Sequence, residues 1–318
     1  MGCYDRSGRE RSKVSIQMTE KTEAKGASSG METSTNAKLR YENDHWLLSP
    51  GNNYVSERKA AGIVPALENG IAIISYLNKR APRPASLTEI ATTLGISRSH
   101  CHSLLKTLTH FDWLSFDETS KTYRLQSGII SDASSLLSSP IISVIRPLLT
   151  ALVEQLALPC VITEPLSDDS FVVIDRINAH HIMEVSFPVG HRFPRNAAAQ
   201  MRAYLSWQSQ ERIDRWMHNW RPIAYTEHSL LEAQAIRAEI GETRRRGYAR
   251  SVGEFTDGLM ALALPIFDRS GRVAYVFNIS SLTGTMLPRE AEVAREMQRT
   301  AAQIHRALAA GVPPDFPS

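Results

Sequence analysis

The 318-residue sequence contains few cysteines and no long apolar run. Its three cysteines, Cys3, Cys101 and Cys160, are scattered and odd in number, which predicts neither a disulfide framework nor a metal site and favours a reducing compartment. No apolar run is long enough to span a bilayer, and the N-terminus lacks a signal-peptide segment. Arg6 stands where N-myristoylation requires serine or threonine. We therefore expect a cytoplasmic protein without a membrane partner.

The sequence also has little net charge and lacks the common catalytic motifs. Its formal charge of +3 at pH 7 is too small to indicate nucleic-acid binding, so any affinity for DNA must come from a local patch. HExxH, paired CxxC, GxSxG and a phosphate-binding glycine loop are all missing. These absences argue against an enzyme.

Acidic residues and histidines do cluster in one region, and their pattern is weak. The members are Glu164, Asp168, Asp169, Asp175, His180, His181 and His191. Adjacent histidine rings in a turn usually point apart, and Asp168–Asp169 suits the turn between two strands. We expect no catalytic residues, no metal and no cofactor.

The segment from Ser86 to Leu125 predicts two helices around a glycine turn, followed by a hairpin. Ser86 can cap the first helix with Glu89 three residues later, and Gly95 can end it. Ser97 can cap the second helix, whose core side carries Cys101, Leu104, Leu105 and Leu108. This arrangement is typical of a winged helix-turn-helix. An earlier helix, Val64–Leu77, would close the small core through Val64, Leu67, Ile71, Ile74 and Leu77.

The exposed side of the second helix is the candidate DNA-binding face. It centres on Ser99, Ser103 and Lys106, and hydroxyls and cations of this kind suit base edges and phosphates. Helix-turn-helix units also serve as plain packing or protein-contact modules, and a polar face needs no ligand. The predicted contacts are Ser97, Arg98, Ser99, His100, His102, Ser103 and Lys106 on the helix, with Lys121, Tyr123 and Arg124 on the wing.

The chain divides into four predicted segments. Residues 1–57 have too few apolar side chains to offset the entropy of ordering, which predicts a disordered arm. An inert extension or a misplaced start codon is favoured over an arm in a DNA groove. The winged helix-turn-helix domain covers 58–128 and a connecting helix, broken near Pro140, covers 129–146. The apolar stretch Ser131–Ile145 suits a dimer seam and packing against the chain's own domains equally.

The last segment, 147–312, has a mixed helix and strand pattern. A helix is predicted to begin at Pro147, and others cover 196–205, 230–246 and 288–310. Strands are predicted at 160–163, 171–177, 183–187, 260–267 and 273–279. The fold class is α+β, with one antiparallel or mixed sheet and helices on its faces.

The run from Val64 to Ile279 resembles the isocitrate-lyase-regulator (IclR) family of bacterial transcription factors. The resemblance rests on LTEIATTLGISRSHCHSLLKTL with a wing ending TYRLQSGI, on VGHRFPRNAAAQMRAYL, and on RRRGYARSVGEFTDGLMALALPIFDRSGRVAYVFNIS. It implies an N-terminal winged helix on double-stranded operator DNA and a C-terminal GAF-like α/β effector domain. It also implies a homodimer or a dimer of dimers, and a small carboxylate or aromatic acid as effector.

The resemblance further implies the residues of an effector pocket. A helix opening after Pro194 would present free backbone N–H groups to an anion. Buried polar side chains such as Gln200 favour a ligand, whereas the apolar members suit core packing equally. The implied positions are Ile182, Val185, Phe193, Ala199, Gln200, Ser251, Leu259, Ala261, Asn278 and Ser280.

Several positions depart from the family pattern. Gln200, Met201 and Arg202 stand where relatives usually carry a small residue, glycine and lysine, so the pocket is expected to be reshaped or filled. Ser251 replaces an acid found in some relatives, and Ser103 replaces an arginine that is common on the recognition helix. The sequence therefore predicts a ligand-responsive DNA-binding regulator. The alternative is a constitutive regulator or scaffold whose sensor domain only oligomerises.

Overall fold

The structure is a computed structural model that describes residues 62–137, 139–179, 185 and 187–317. The predicted arm, 1–57, lies outside the described residues. So do Ile182 and most of the strand predicted at 183–187. Within the described part, no helix combines the length and apolarity that crossing a bilayer requires.

The N-terminal part contains three helices and a small antiparallel sheet. Its elements are α1 (Pro65–Arg80), β1 (Ala85–Ser86), α2 (Leu87–Leu94), α3 (Arg98–His110), β2 (Leu114–Asp117) and β3 (Thr122–Leu125), with strand order β1-β3-β2. The Ser86 hydroxyl accepts a hydrogen bond from Glu89 N–H, and that of Ser97 accepts one from His100 N–H. Gly95 ends α2 at φ +66°. The predicted caps of both helices are therefore confirmed.

The buried side of α1 differs from the predicted one. Ile73 and Leu77 enter the small core, whereas Leu67 is 64% exposed and Ile71 is 54% exposed. Helix α1 carries apolar residues on more than one side, so its periodicity did not determine which side faces α2 and α3. The predicted wall of Val64, Leu67 and Ile71 is wrong, and these residues form an exposed apolar stripe.

Tyr123 of the wing is largely buried. Its side chain is only 8% exposed, and its ring packs 4.7 Å from that of Phe116. Side chains alternate across a strand, so Tyr123 points into the core while Arg124 points to solvent. Tyr123 is therefore mostly buried, and it lines the groove between α3 and the wing.

Three helices follow the wing: α4 (Gly128–Asp132), α5 (Ser134–Leu137) and α6 (Pro140–Leu156). The predicted break near Pro140 is confirmed, with Pro140 in the first turn of α6. The helix predicted to start at Pro147 instead begins seven residues earlier, and Pro147 lies inside it on an exposed side. Both prolines suit a first helical turn, and the sequence did not show which one starts the helix.

Helix α4 is tied to the turn that follows α3. The Trp113 indole Nε1 donates to Asp132 Oδ2 at 2.6 Å, and Gly128 N–H donates to the Asp112 carbonyl at 3.1 Å. A Cβ on Gly128 would lie 2.4 Å from that carbonyl oxygen, so only glycine fits. These contacts attach α4 to the winged-helix part of the chain.

The C-terminal part is built on a six-stranded antiparallel sheet of order β6-β5-β4-β9-β8-β7. Its strands are β4 (Cys160–Pro165), β5 (Phe171–Ile177), β6 (Arg192–Phe193), β7 (Ala249–Val252), β8 (Leu259–Phe267) and β9 (Val273–Leu282). Its further helices are α7 (Ala198–Leu205), α8 (Gln210–His218), α9 (Ala233–Arg246), α10 (Thr283–Met286) and α11 (Glu290–Leu308).

Hydrophobic cores form on both faces of this sheet. Cys160 and Ile162 of β4 face the core that contains α6 and α11, and Val161 faces the core that contains α8 and α9. This alternation is the period-two pattern of a strand covered on both sides. The α+β class is confirmed, and the sheet is antiparallel throughout.

Candidate nucleic-acid interface and effector cavity

Helix α3 separates its core residues from a polar exposed face. Cys101 and Leu105 are fully buried, while Ser99, Ser103 and Lys106 on the other side are exposed. The Ser103 hydroxyl donates to the Ser99 carbonyl at 3.2 Å, and this bond uses its proton within the helix. Its oxygen lone pairs remain available as acceptors for an outside donor.

An open groove of about 540 Å³ runs between α3 and the wing. It brings His102 and Lys106 of the helix together with Lys121 of the wing. Sequence reasoning missed Thr109 and His110, although they lie one helical turn beyond Lys106. The described residues that line the groove are Leu87, His102, Lys106, Thr109, His110, Phe116, Lys121 and Tyr123.

Charge is distributed unevenly over this surface. Lys121 pairs with Glu118 at 2.7 Å, and Arg124 Nε donates to the Ser115 hydroxyl at 3.1 Å. Backbone N–H groups of Ser120 and Thr119 bond to Asp117 and lower the pKa of its carboxyl, so the wing tip also carries negative charge. Within the described part of the chain, Arg98 and Lys106 of α3 form no ion pair. Helix α3 therefore contributes more uncompensated positive charge than the wing.

The remaining predicted contacts lie near the start of α3. Ser97 and Arg98 are exposed, and His102 is exposed one turn later. His100 is half-buried. Except for the half-buried His100, these predicted contacts of α3 are exposed, and Tyr123 of the wing is mostly buried but lines the groove.

A second cavity lies between α7 and the strands β7, β8 and β9. Ser251, Ala261 and Ser280 are directly in register across these three strands. Its volume is about 30 Å³. The described residues that line it are Phe187, Phe193, Ala198, Ala199, Gln200, Ser251, Phe255, Thr256, Leu259, Met260, Ala261 and Ser280.

Most of the implied pocket positions meet at this cavity. Asn278 and Val185 are not among its lining residues: Asn278 is buried and bonds to Gln200 and Ser280, which do line it, and Val185 is half-buried. Ile182 lies outside the described residues. The sequence missed Phe255 and Thr256, because they belong to the loop between β7 and β8, whose path depends on long-range contacts.

A buried chain of polar side chains forms one side of the cavity. Gln200 Nε2 donates to Asn278 Oδ1 at 3.4 Å, and Asn278 Nδ2 donates to the Ser280 hydroxyl at 3.0 Å. All three residues are buried. The chain satisfies the Asn278 amide, which would otherwise be buried without a partner.

Helix α7 begins at this cavity without a side-chain cap. Its N-cap residue is Ala197, and the N–H groups of Ala198, Ala199 and Gln200 precede the first intrahelical hydrogen bond. No described residue accepts a hydrogen bond from them. The helix start therefore offers donors to an oxygen of a bound molecule.

The charged groups near the cavity are already compensated or neutral. Arg202 is 1% exposed, and its guanidinium donates to both carboxylate oxygens of Glu254, at 2.8 and 2.5 Å, and to the Arg250 carbonyl. Burial lowers the pKa of His191 to about 4, so this imidazole is neutral at pH 7. Any polarity that a ligand meets here comes mainly from neutral donors.

The three aspartates of the acidic cluster noted in the sequence form ion pairs with arginines. Asp168 pairs with Arg192 at 2.5 Å, Asp169 with Arg212 and Arg195, and Asp175 with Arg146. Within the described residues, no group of three or more histidines, cysteines or carboxylates could hold a metal ion. Cys101 and Cys160 are buried and free.

Comparisons with known proteins cover both parts of the chain. The family model described as "Bacterial transcriptional regulator IclR C-terminal" matches residues 133–306, and that described as "IclR helix-turn-helix domain" matches residues 66–118. The chain is 26% identical over 216 residues to the "Transcriptional repressor IclR" of Escherichia coli K12, covering 67% of this chain and 78% of the relative.

Solved structures share the fold. An IclR transcriptional regulator from Alicyclobacillus acidocaldarius aligns with a TM-score of 0.69 at 24% identity, over 77% of this chain and 99% of that one. An IclR homologue from Microbacterium hydrocarbonoxydans, solved with 4-hydroxybenzoate, aligns with a TM-score of 0.65 at 14% identity, over 77% of this chain and 99% of that one. The two parts of the chain thus occur together, in the same order, in these structures.

Proposed function

The chain belongs to the IclR family of bacterial transcriptional regulators, which are not enzymes, and on that premise we propose that it binds operator DNA through α3 and the wing. The observation that carries this proposal is the groove in which His102, Lys106 and Lys121 converge. A major groove admits an α-helix, and cations beside that helix bind phosphates. Ser99 and Ser103 lie on the same exposed face, and their hydroxyls suit contacts to base edges. Such a protein acts in the cytoplasm.

We also propose that a small organic effector binds between α7 and β7–β9. The free N–H groups at the start of α7 and the hydroxyls of Ser251 and Ser280 supply donors for a carboxylate. The related structure that holds 4-hydroxybenzoate, itself a carboxylate, is consistent with this chemistry. The effector changes DNA affinity only by the difference in its affinity for two arrangements of the chain.

A second candidate function is a constitutive DNA-binding regulator whose C-terminal part only oligomerises. The cavity of about 30 Å³ favours it, because this volume holds roughly one water molecule. The two candidates share the DNA interface and differ in whether any molecule binds at the cavity.

Operator binding as a homodimer or a dimer of dimers fits the exposed stripe of α1. Leu67 and Ile71 expose more than half of their side chains, and an apolar stripe of this kind is suited to a second copy of the chain. Two copies would place two recognition helices on the half-sites of a partly palindromic operator.

The proposal is tested by DNA binding across a salt series. The probes are the DNA upstream of the protein's own gene and random DNA, and the variant is Ser99→Ala/Ser103→Ala/Lys106→Ala. We expect the triple variant to lose its preference for the upstream DNA over random DNA. The slope of log affinity against log salt concentration should become less steep by about one unit, because the variant lacks the Lys106 contact to a phosphate. Binding would be followed by fluorescence anisotropy.

Arg299→Ala is the matched control, because it removes an exposed charge from α11, far along the chain from α3. We expect it to bind DNA as the wild type does. Equal binding by the wild type and the triple variant would show that α3 is not the recognition helix.

A further inference from the structure

Three basic side chains form a row along the groove side of α3. His102, Lys106 and His110 follow one another at intervals of four residues, all three are exposed, and all three line the groove beside the wing. A step of four residues turns only about 40° around an α-helix and rises about 6 Å, so the side chains point the same way over about 12 Å. These three residues form the α3 basic row, and its length allows it to meet more than one phosphate of a DNA strand.

The groove beside the α3 basic row contains no acidic side chain among the described residues. Those that line it include two histidines and two lysines and no carboxylate. Helix α3 itself has no aspartate or glutamate from Arg98 to His110. Neither His102 nor His110 forms an ion pair with a described residue. A positive charge on either imidazole therefore has no counter-charge at hand within this part of the chain.

The acidic groups on the elements around α3 have partners of their own. Glu89 of α2 pairs with Arg80 of α1 at 2.8 Å, and Glu118 of the wing pairs with Lys121 at 2.7 Å. Asp117 accepts hydrogen bonds from two backbone N–H groups at the wing tip. The other titratable groups on α3 and on its neighbouring elements are Glu68, Tyr76, Lys79, Arg98, His100, Cys101, Asp112, Tyr123, Arg124 and Asp132.

Of all these neighbouring groups, only Lys121 and Tyr123 line the groove. Burial raises the pKa of Tyr123, so its phenol stays neutral at and below pH 8. An imidazole gains or loses its proton between about pH 5 and pH 8. The charge of the groove in this range is therefore controlled by His102 and His110.

Binding of DNA in this groove favours the protonated histidines. The phosphodiester groups of DNA keep their negative charge throughout this pH range, and a protonated imidazole donates a charge-assisted hydrogen bond to a phosphate oxygen. A neutral imidazole displaces no counterion from DNA, whereas each protonated one that contacts a phosphate does. Binding of DNA and uptake of protons therefore strengthen each other.

We propose that His102 and His110 contact DNA phosphates in their protonated form and make DNA binding proton-linked. This inference rests on the proposed DNA-binding function. Lowering the pH from 8 to 6 raises the number of cations along the groove from two, Lys106 and Lys121, to four. Acidification is expected to tighten the complex without any change in the fold.

Fluorescence anisotropy over salt series at pH 8.0 and pH 6.0 tests the proposal, with a pH-insensitive label on the upstream DNA and on random DNA. For the wild type we expect binding at least about tenfold tighter at pH 6.0 than at pH 8.0 in roughly 0.1 M salt. The slope of log affinity against log salt concentration should become steeper by about one unit for each histidine that contacts a phosphate. Phosphate contacts carry no sequence information, so both DNAs should show this change.

Two double variants separate the charge of the histidines from their position. His102→Gln/His110→Gln removes both protonation sites and should give one affinity and one salt slope at both pH values. His102→Arg/His110→Arg fixes both charges and should give the steep slope at both. His218→Gln, at an exposed position of α8, is the control and should follow the wild type. Circular dichroism would verify the fold of each variant at both pH values.

The outcomes separate this inference from the proposed function. A wild type whose affinity and salt slope are the same at pH 8.0 and pH 6.0 would overturn the proton linkage, while its preference for upstream DNA would still support the proposed function. Full pH dependence in His102→Gln/His110→Gln would overturn the assignment to these histidines. If the wild type binds neither DNA at either pH, both the proton linkage and the proposed function are wrong.

Discussion

His305 is a buried histidine whose ring nitrogen serves the backbone of a neighbouring strand. The Phe267 N–H donates to His305 Nε2 at 3.3 Å, and the imidazole packs against the rings of Phe267 and Phe316. Burial lowers the pKa of His305 to about 4, opposed in part by a hydrogen bond to the Pro265 carbonyl. The folded protein therefore requires the neutral ring.

This requirement predicts a loss of stability in mild acid. In the unfolded chain His305 takes up a proton near pH 6.5, whereas the folded state resists protonation down to about pH 4. The contribution of neutral His305 to the free energy of unfolding is therefore fully present above pH 6.5. It is lost as the pH drops from 6.5 to 4, by about 3 kcal/mol for this group. His305→Gln keeps an acceptor for Phe267 N–H and should show a smaller fall. Urea unfolding at pH 7.5, 5.5 and 4.5 measures it.

His191 still causes an acid-induced loss of stability in the His305→Gln variant, because burial also lowers the pKa of His191 to about 4. His305→Gln should thus retain roughly half of the acid-induced loss. His218→Gln, at an exposed position of α8, is the control and should follow the wild type. An acid-induced loss in His305→Gln equal to that of the wild type would contradict the assignment to His305.

At the scale of elements, the ends of the helices in the winged helix-turn-helix were predicted well from local signals, whereas the pairing of strands was not. Ser86 and Gly95 mark the two ends of α2, and Ser97 marks the start of α3. Each acts through contacts within a few residues, so the local sequence is enough to predict these helix ends. Strands β1 and β7 were missed, because they are short and exist only through pairing with β3 and β8. The resemblance to a family implied Ser251 and Ser280 as pocket positions, but the register that aligns them across β7, β8 and β9 was not predicted.

The exposed stripe of α1 makes a prediction about assembly. Leu67→Ser/Ile71→Ser removes its apolar surface without touching Ile73 and Leu77 in the core. We expect the dissociation constant of the dimer to rise at least about tenfold while the melting temperature of the monomer changes little. Sedimentation velocity over a concentration series measures the change.

Asn78→Ser is the control for that experiment, because it alters an exposed polar position of the same helix. We expect its self-association to match that of the wild type. If Leu67→Ser/Ile71→Ser also assembles as the wild type does, the seam lies elsewhere, with Ile130 and Leu136 of the connector as the next exposed candidates.

At the scale of the whole molecule, the hydrophobic core of the winged helix and the cores of the six-stranded sheet share no residues. Ile73 and Leu105 belong to the winged-helix core, whereas Ile266 and Ile304 belong to a core of the six-stranded sheet. We therefore expect two transitions in differential scanning calorimetry. Leu105→Ala creates a cavity that costs about 2 to 5 kcal/mol, and it should lower only the winged-helix transition, by roughly ten degrees or more.

Ile266→Ala is the matched variant for the other core and should lower only the second transition. Separate shifts would show that the winged helix unfolds independently of the sheet. A single transition that both substitutions lower together would mean that the chain unfolds as one cooperative unit.

Helix α6 connects the two parts of the chain. Its 17 residues extend about 25 Å, and it is packed into the sheet core from Ile145 to Leu156. The Arg146–Asp175 ion pair attaches the middle of the helix to β5, and the first turn of the helix begins at Pro140, directly after the break. Only the first turn of α6 therefore extends beyond the core, and a displacement of the sheet face that holds the helix would carry this turn, and the chain before it, by a similar distance.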